Sequence, residues 1–378
     1  MADSSDAAGP RLVVIDGANA IYRAFFAIPN LRAPDGTPTN AAYGFVTMLA
    51  KVLREERPTH VAVATDPRGG SFRNTLYPEY KAGRDKQPED LAAQLPLVRE
   101  LCDAFGVPMI EVADFEADDV IATLVETAPA GAEVRIVSTD KDLMQLVGSG
   151  VELLDTMKDR RIDAAAVEER FGVPPEKLLD VRALVGDPSD NIPGVKGIGE
   201  KGAAKLILEY GSLDALLESA AQVKAKRARE GLLEHADDAR LSRELSTLRR
   251  DVPIENGWQG LESRPPDTER LRALYTRLGF TRLLEALDAG EASTTSTPGD
   301  PPPAASEAVE VLIHRDAAEL PGLTQKLAGA DRIALHPVVG EGNAVSRDLH
   351  GLALCTGGKG PVHYLPCLLY TSDAADDL

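Results

Sequence analysis

Three short runs of mainly apolar residues each end on an aspartate: RLVVID at Asp16, HVAVATD at Asp66 and EVRIVSTD at Asp140. Helix-patterned stretches separate them, among them Ala41–Arg54 and Leu91–Phe105. Strands alternating with helices predict an α/β fold with a mainly parallel central sheet. Two weaker runs, Val107–Val112 and Val151–Asp155, continue the pattern. In a parallel sheet the carboxyl ends share one edge, and open α/β folds build their sites there. A single Asp after a strand is ordinarily a turn or cap residue. Three at one sheet edge are harder to account for that way.

More acids join them. Glu116-Ala117-Asp118-Asp119 opens a helical stretch containing Val120, Ile121 and Leu124. The helix dipole favours acids at that end, but covers two better than three. Asp142 follows Asp140 at a second strand-to-helix junction, and Asp187 and Asp190 lie in the turn-like VGDPSDN. At least eight carboxylates can thus converge, and without cations several would have to protonate. Oxygen donors without His or Cys select hard ions, Mg²⁺ or Mn²⁺. Two such ions ~4 Å apart suit in-line displacement at a phosphodiester. The chain carries 60 acids against 41 bases, net −19, which as a sum argues against a nucleic-acid partner. If the acids hold metal, the distribution of charge decides instead.

The bases are clustered. SFRNTLYPEYKAGRDK holds Arg73, Lys81, Arg84 and Lys86 with Tyr77 and Tyr80 between them. It reads either as a solvated loop and helix or as an arch that grips phosphate and stacks bases. After Asp16, Tyr22 and Arg23 can face a nucleotide, while Phe25 or Phe26 belongs to the core. PGVKGIGEKG contains the G-x-G-x-x-G spacing at Gly197, Gly199 and Gly202, but a proline turn precedes it rather than a strand, so a dinucleotide fold is the wrong context. A hairpin between two short helices fits better. Its glycine amides, including Gly194, with Lys196, Lys201 and Lys205, would hold duplex phosphates without reading bases. Lys224, Lys226, Arg227 and Arg229 form a further basic run, or simply a solvated helix face.

The strand signal fades after about residue 175, and residues 176–288 read as short helices: Lys177–Val185, Gly202–Tyr210, Leu213–Ala220, Ala236–Arg249 and Thr268–Leu287. Residues 289–306, with Pro301, Pro302 and Pro303 in a row, read as a linker. A β-like pattern resumes over 307–370, and the tail 371–378 is acidic and patternless. Cys102, Cys355 and Cys367 form no CxxC pair, which argues against zinc or a disulfide framework. A reduced, cytoplasmic setting follows, with no apolar run of ~20 residues to span a membrane.

The residues resemble a known family. VIDGANAIYRAFFA, TDPRGGSFRNTLYPEYKAGR, FEADDVIATL, STDKDLMQLV and VGDPSDNIPGVKGIGEKGAAKLI are similar to the N-terminal 5′-nuclease domain of bacterial DNA polymerase I, a flap-endonuclease relative. The match runs from Arg11 to Leu287. The resemblance implies one metal near Asp16, Asp66, Glu116 and Asp118, and a second near Asp118, Asp140, Asp142 and Asp190. Asp119 and Asp187 would be outer or alternate ligands. It implies Mg²⁺, with Mn²⁺ as a substitute and K⁺ at a helix-hairpin-helix. Lys81 and Arg84 look like the pair that meets the scissile phosphate, and Tyr22, Arg23 and Arg73 like the group that receives an unpaired 5′ end. The implied partner is DNA carrying 5′ flaps, nicks or gaps, bound by a monomer. Residues 307–370 look like the start of the family's 3′–5′-exonuclease-like domain, but His336-Pro337-Val338 stands where its Asp-x-Glu would fall, so the segment reads as non-catalytic. Two other readings compete: a DNA-binding module whose acids only cap helices, and a small RNA-cleaving nuclease. The first would tolerate loss of a strand-end Asp, and none is lost. The second would need neither the hairpin region nor the basic arch.

Overall fold

The computed structural model describes residues 9–28, 30–84 and 87–289, then segments 311–313, 321, 323–324, 334–339, 349–355 and 362–366. Lys86, Cys367, residues 290–306 of the linker and the tail 371–378 lie outside the described residues. Residues 1–300 and 301–378 form two compact units.

The first unit begins with β1 (Arg11–Asp16), α1 (Gly17–Ala27), α2 (Asn40–Glu56), β2 (His60–Thr65), α3 (Phe72–Leu76), α4 (Glu89–Ala92) and α5 (Leu95–Ala104). β3 (Met109–Glu111), α6 (Ala117–Glu126), β4 (Glu133–Val137), β5 (Val151–Asp155) and β6 (Arg160–Ile162) complete the sheet. Helices follow: α7 (Ala164–Phe171), α8 (Pro175–Val185), α9 (Glu200–Tyr210), α10 (Leu213–Glu218), α11 (Lys226–Glu234), α12 (Ala236–Ser246), α13 (Thr268–Leu278) and α14 (Thr281–Asp288).

The sheet order is β3-β2-β1-β4-β5-β6, parallel except for the β5–β6 pair. β1 lies at the centre, with chain order reversing on either side of it, so the crevice of an open α/β sheet falls at its carboxyl end. Its residues alternate between two cores, as a strand covered on both faces requires. Leu12 and Val14 join a core with α6 and the later helices, whereas Val13 and Ile15 pack with α2 and α5. The turn from β1 into α1 has no room for a side chain. A Cβ on Gly17 would lie 2.8 Å from the Ala64 carbonyl and 2.9 Å from Thr65 Cγ2. That close start seats Asp16 as the helix cap.

The helical region differs from its sequence reading. α8 to α12 share the core of α6, but α13 and α14 pack on the opposite face with α2 and α5. The stretch Thr268–Leu287, read as one helix, breaks at Gly279, which takes φ 72 and caps α13. Leu91–Phe105 likewise divides, because Pro96 sits in the first turn of α5.

In the second unit, β7 (Val311–Ile313), β8 (Ala334–Val339), β9 (Leu349–Cys355) and β10 (Val362–Pro366) form a sheet ordered β7-β10-β9-β8. β10 pairs parallel with β7, and the other two pairs are antiparallel. His336-Pro337-Val338 lies within β8.

Candidate active site

Beyond the carboxyl edge lies a cleft of about 630 Å³ whose lining includes Asp16, Asp66, Glu116, Asp118, Asp140, Asp142 and Asp190. Lys81, Arg84, Tyr22 and Phe26 line it too. Hydrogen bonds fix the strand-end acids. Asp16 accepts the Asn19 amide at 3.1 Å and the Ser138 hydroxyl at 2.8 Å. The same Ser138 oxygen accepts the Asp140 amide at 3.0 Å, and Asp140 accepts the Asp142 amide at 2.9 Å. Asp66 accepts the Ala117 amide at 2.8 Å at the start of α6, which carries Asp118 into the cleft.

Charge is only partly met there. Burial pushes Asp16 up to about 7; its bonds from Asn19 and Ser138 resist the rise, and Asp140 and Asp66 add to it. Asp118 is raised well above the carboxylate range by burial and by Asp140, Asp16, Asp142 and Asp66. Asp142 rises to about 6 through burial, although Arg182 opposes the shift. Glu116 goes the other way: burial alone would raise it, but Lys81 and Arg73 outweigh that and hold it below its ordinary range.

The bases explain the difference. Lys81 Nζ lies 2.9 Å from Glu116 Oε1, and Tyr80 donates to Oε2 at 3.0 Å. Arg84 donates to one Asp190 oxygen from both Nε and Nη2 at 2.9 and 2.5 Å. Arg182 bridges Asp142 at 2.7 Å and Asp187 at 2.8 Å. Lys81 has φ 57, a left-handed conformation costly for a non-glycine residue, and its amide donates to the Asp190 carbonyl at 3.0 Å. Residues held in such regions persist where surrounding structure fixes them, often at functional sites.

Several expectations change. Arg73 faces no nucleic acid. It is 1% exposed, bound at 2.7 and 2.8 Å to both oxygens of Asp119, and donates to the Leu245 and Thr247 carbonyls. It ties the base-bearing segment to α6 and the end of α12. Tyr80, 4% exposed, is a buried donor to Glu116 rather than a stacking platform. Asp119 is buried against Arg73 and also receives the Glu116 and Arg249 amides. Asp187 receives the Ser189 amide and hydroxyl in a turn. Neither lines the cleft. Arg23 pairs with Asp155 at 2.8 Å, while Tyr22 is 38% exposed beside Asp16 and Asp66. Phe25 packs into the core and Phe26 is 71% exposed.

The donors fit hard cations in kind and place, all oxygen and several without a base. Among the described residues, however, no three His, Cys, Asp or Glu side chains stand in ion-holding geometry. The ligand sets implied by resemblance are not closed: like charges keep apart, and Glu116, Asp142 and Asp190 are turned to bases. Two residues that shape the site went unread, Ser138 and Arg182. Ser138 sits two residues before Asp140, a spacing at which serine commonly bonds nearby backbone. Arg182, inside α8, left no local signal.

The hairpin between α8 and α9 is present. Gly186 and Gly194 face each other at φ 70 and 63, and a Cβ on either would come within 2.5 Å of backbone. Gly194 is buried and gives its amide to Ser242 at 2.9 Å, so it is a packing residue and not a phosphate donor. Lys196, Gly197, Gly199, Lys201, Gly202 and Lys205 are exposed.

An open, mainly parallel sheet with carboxylates and bases at its central crevice defines the class of α/β proteins that build their site at the carboxyl ends of the strands. The sequence narrows it. A family model described as 5′–3′ exonuclease, N-terminal resolvase-like domain, matches residues 11–172, and one described as 5′–3′ exonuclease, C-terminal SAM fold, matches 173–269. The chain belongs to the 5′–3′ exonuclease family. It is 47% identical over 293 residues to the DNA polymerase I of Rhizobium leguminosarum, covering 74% of this chain and 29% of that protein. It is 42% identical over 334 residues to the thermostable DNA polymerase I of Thermus thermophilus, covering 87% and 40%. The chain thus spans about a third of the length of these relatives. The fold is similar to that of the bacteriophage T5 D15 protein co-crystallised with metal ions, with TM-score 0.54, 21% identity, and 75% and 98% of the two chains covered. It is also similar to the catalytic core of Rad2 in complex with DNA substrate, with TM-score 0.51, 18% identity, and 74% and 92% covered.

Proposed function

We propose that the chain hydrolyses DNA phosphodiesters where an unpaired 5′ strand meets duplex, releasing mono- and oligonucleotides with the help of two divalent ions. The observation that carries this reading is one cleft lined by seven carboxylates together with Lys81 and Arg84. Asp16, Asp66, Glu116 and Asp118 would hold one ion, and Asp118, Asp140, Asp142 and Asp190 the other. Mg²⁺ is the expected ion, and Mn²⁺ would substitute. When bound, such ions acidify water and steady a leaving oxygen.

The chain's own residues do the rest. Lys81 and Arg84 turn from Glu116 and Asp190 toward the scissile phosphate. Tyr22 stacks on the unpaired end, and Arg23 contacts its backbone. Lys196, Lys201 and Lys205, the exposed hairpin glycines and the start of α9 hold the duplex backbone without reading sequence. K⁺ at the hairpin is part of the same reading. In this reading the activity would serve Okazaki-fragment processing and excision repair beside a polymerase, by a monomer in the cytoplasm. Among the described residues no helix is long and apolar enough to cross a membrane. Residues 307–370 would be a non-catalytic exonuclease-like segment.

The test is a 5′-labelled flap incubated with Mg²⁺ or with chelator. Cleavage at the junction only with metal supports the reading; metal-independent binding without cleavage favours a DNA-binding module. Lys81→Ala sharpens it. A fixed cation that meets charge developing on the phosphoryl oxygens should cost ~10²–10³ in single-turnover rate with little change in affinity. A normal saturated rate with weakened binding would make Lys81 an ordinary phosphate contact.

A further inference from the structure

A second basic element lies against the hairpin. Helix α11 begins at Lys226, and its residue Gly231 has no room for a side chain: a Cβ there would lie 2.7 Å from the Lys196 carbonyl and 3.2 Å from Val195. The helix therefore packs directly on the hairpin backbone. The fit is reciprocal. Gly197, at φ 90, leaves a space that Arg227 fills, with Nε 2.7 Å and Cγ 3.3 Å from where a Cβ would stand. One glycine on each element permits this docking, and the Arg227 side chain lies across the turn that carries Lys196.

The charges on this face are unanswered. Among the described residues, Lys196, Lys201, Lys205 and Arg227 take part in no ion pair, whereas Lys226 meets Glu230 only loosely at 3.8 Å. In a chain of net charge −19, four exposed bases without acids are a local reversal of sign. We infer that α11 and the hairpin act as one duplex-gripping unit, in which Arg227 holds a backbone phosphate beside those held by the hairpin. This rests on the reading that the chain binds duplex. It adds a residue and an element outside the glycine motif. A guanidinium laid over a glycine turn is pre-positioned, so less freedom is lost when it meets phosphate than for a free surface arginine.

The experiment uses the full chain with a 5′-flap duplex in chelator, so that binding is read without cleavage. Affinity is followed from about 50 to 200 mM KCl for the native chain, Arg227→Ala, Arg227→Lys and Lys201→Ala. Loss of one phosphate contact makes the slope of log affinity against log salt shallower by about 0.9. Arg227→Ala should show that change across unrelated sequences. Arg227→Lys should restore most of the slope. If Arg227→Ala keeps the native slope while Lys201→Ala loses about 0.9, the inference fails and the duplex reading stands. If the native chain itself shows no salt-dependent duplex binding, both fail.

Discussion

The cleft and the hairpin face carry opposite kinds of unmet charge. In the cleft each base near the acids is already engaged: Lys81 by Glu116, Arg84 by Asp190 and Arg182 by Asp142 and Asp187. Asp16 and Asp118 have no base among the described residues and sit above the usual carboxylate range. On the hairpin face the reverse holds, with Lys196, Lys201, Lys205 and Arg227 in no ion pair among the described residues. One region calls for cations and the other for anions, and a phosphate backbone accompanied by divalent ions answers both. The net charge of −19 averages two surfaces that act separately, so it says little about the partner.

Substitutions should separate the two regions. Asp118→Asn removes the acid at the centre of the cleft's repulsion. Single-turnover cleavage with Mg²⁺ should fall by about 10³ or more, because an ion's hold on the reacting phosphate is worth several kcal/mol. Affinity for the flap in chelator should stay equal or rise. Cleavage at the native rate would remove Asp118 from the ligand set. Lys201→Ala should do the opposite, weakening binding while the saturated rate holds.

Arg73→Ala asks whether the cleft's architecture depends on a buried pair. It leaves Asp119 without its cation and Glu116 with Lys81 alone, a loss that costs about 3–5 kcal/mol when charge is stranded in the interior. Urea denaturation should show that drop. Arg73→Lys should recover little of it, since the pairing with Asp119 uses two nitrogens and lysine offers one. A change below about 1 kcal/mol would place Arg73 at a relaxed surface instead.

Much of the cleft was readable in advance, because its acids follow strands and strand ends share an edge. Asp16, Asp66 and Asp140 could be placed together from period and polarity alone. What escaped depended on side-chain direction. Arg73 and Tyr80 belong to a basic, aromatic stretch that looks like a nucleic-acid surface, yet both turn inward to Glu116 and its neighbours. The inward turn of Arg73 is set by contacts more than a hundred residues away at Leu245 and Thr247, which no local pattern encodes. Gly194 misled for a related reason. Its amide, free in a linear motif, is taken by Ser242 of the facing helix. The same long-range packing sends α13 and α14 across the sheet, away from the helices next to them in sequence.

The smallest effect sharpens the cleft's side of the comparison without any substrate. Asp16 ionises near 3.8 when unfolded and about 7 in the fold, and Asp118 shifts in the same direction. Between those values the folded, metal-free chain holds more protons than the unfolded one. Its stability should therefore fall as pH rises from about 5 to 7, Asp16 alone contributing about 2 kcal/mol of the loss. Glu116, held low by Lys81 and Arg73, and Asp187, held low by Ser189 and Arg182, contribute in the opposite sense, and that contribution is lost only as the pH falls below the ordinary carboxylate range. The metal-free protein should then be most stable in mild acid. Thermal melts in chelator at half-unit steps from pH 5 to 8 measure it. Asp16→Asn should flatten the slope, which ties the effect to the cleft, and saturating Mg²⁺ should abolish it by stabilising the ionised cluster. A melting temperature that rises between pH 5 and 7 in chelator would mean that the acids are not crowded together in the absence of metal.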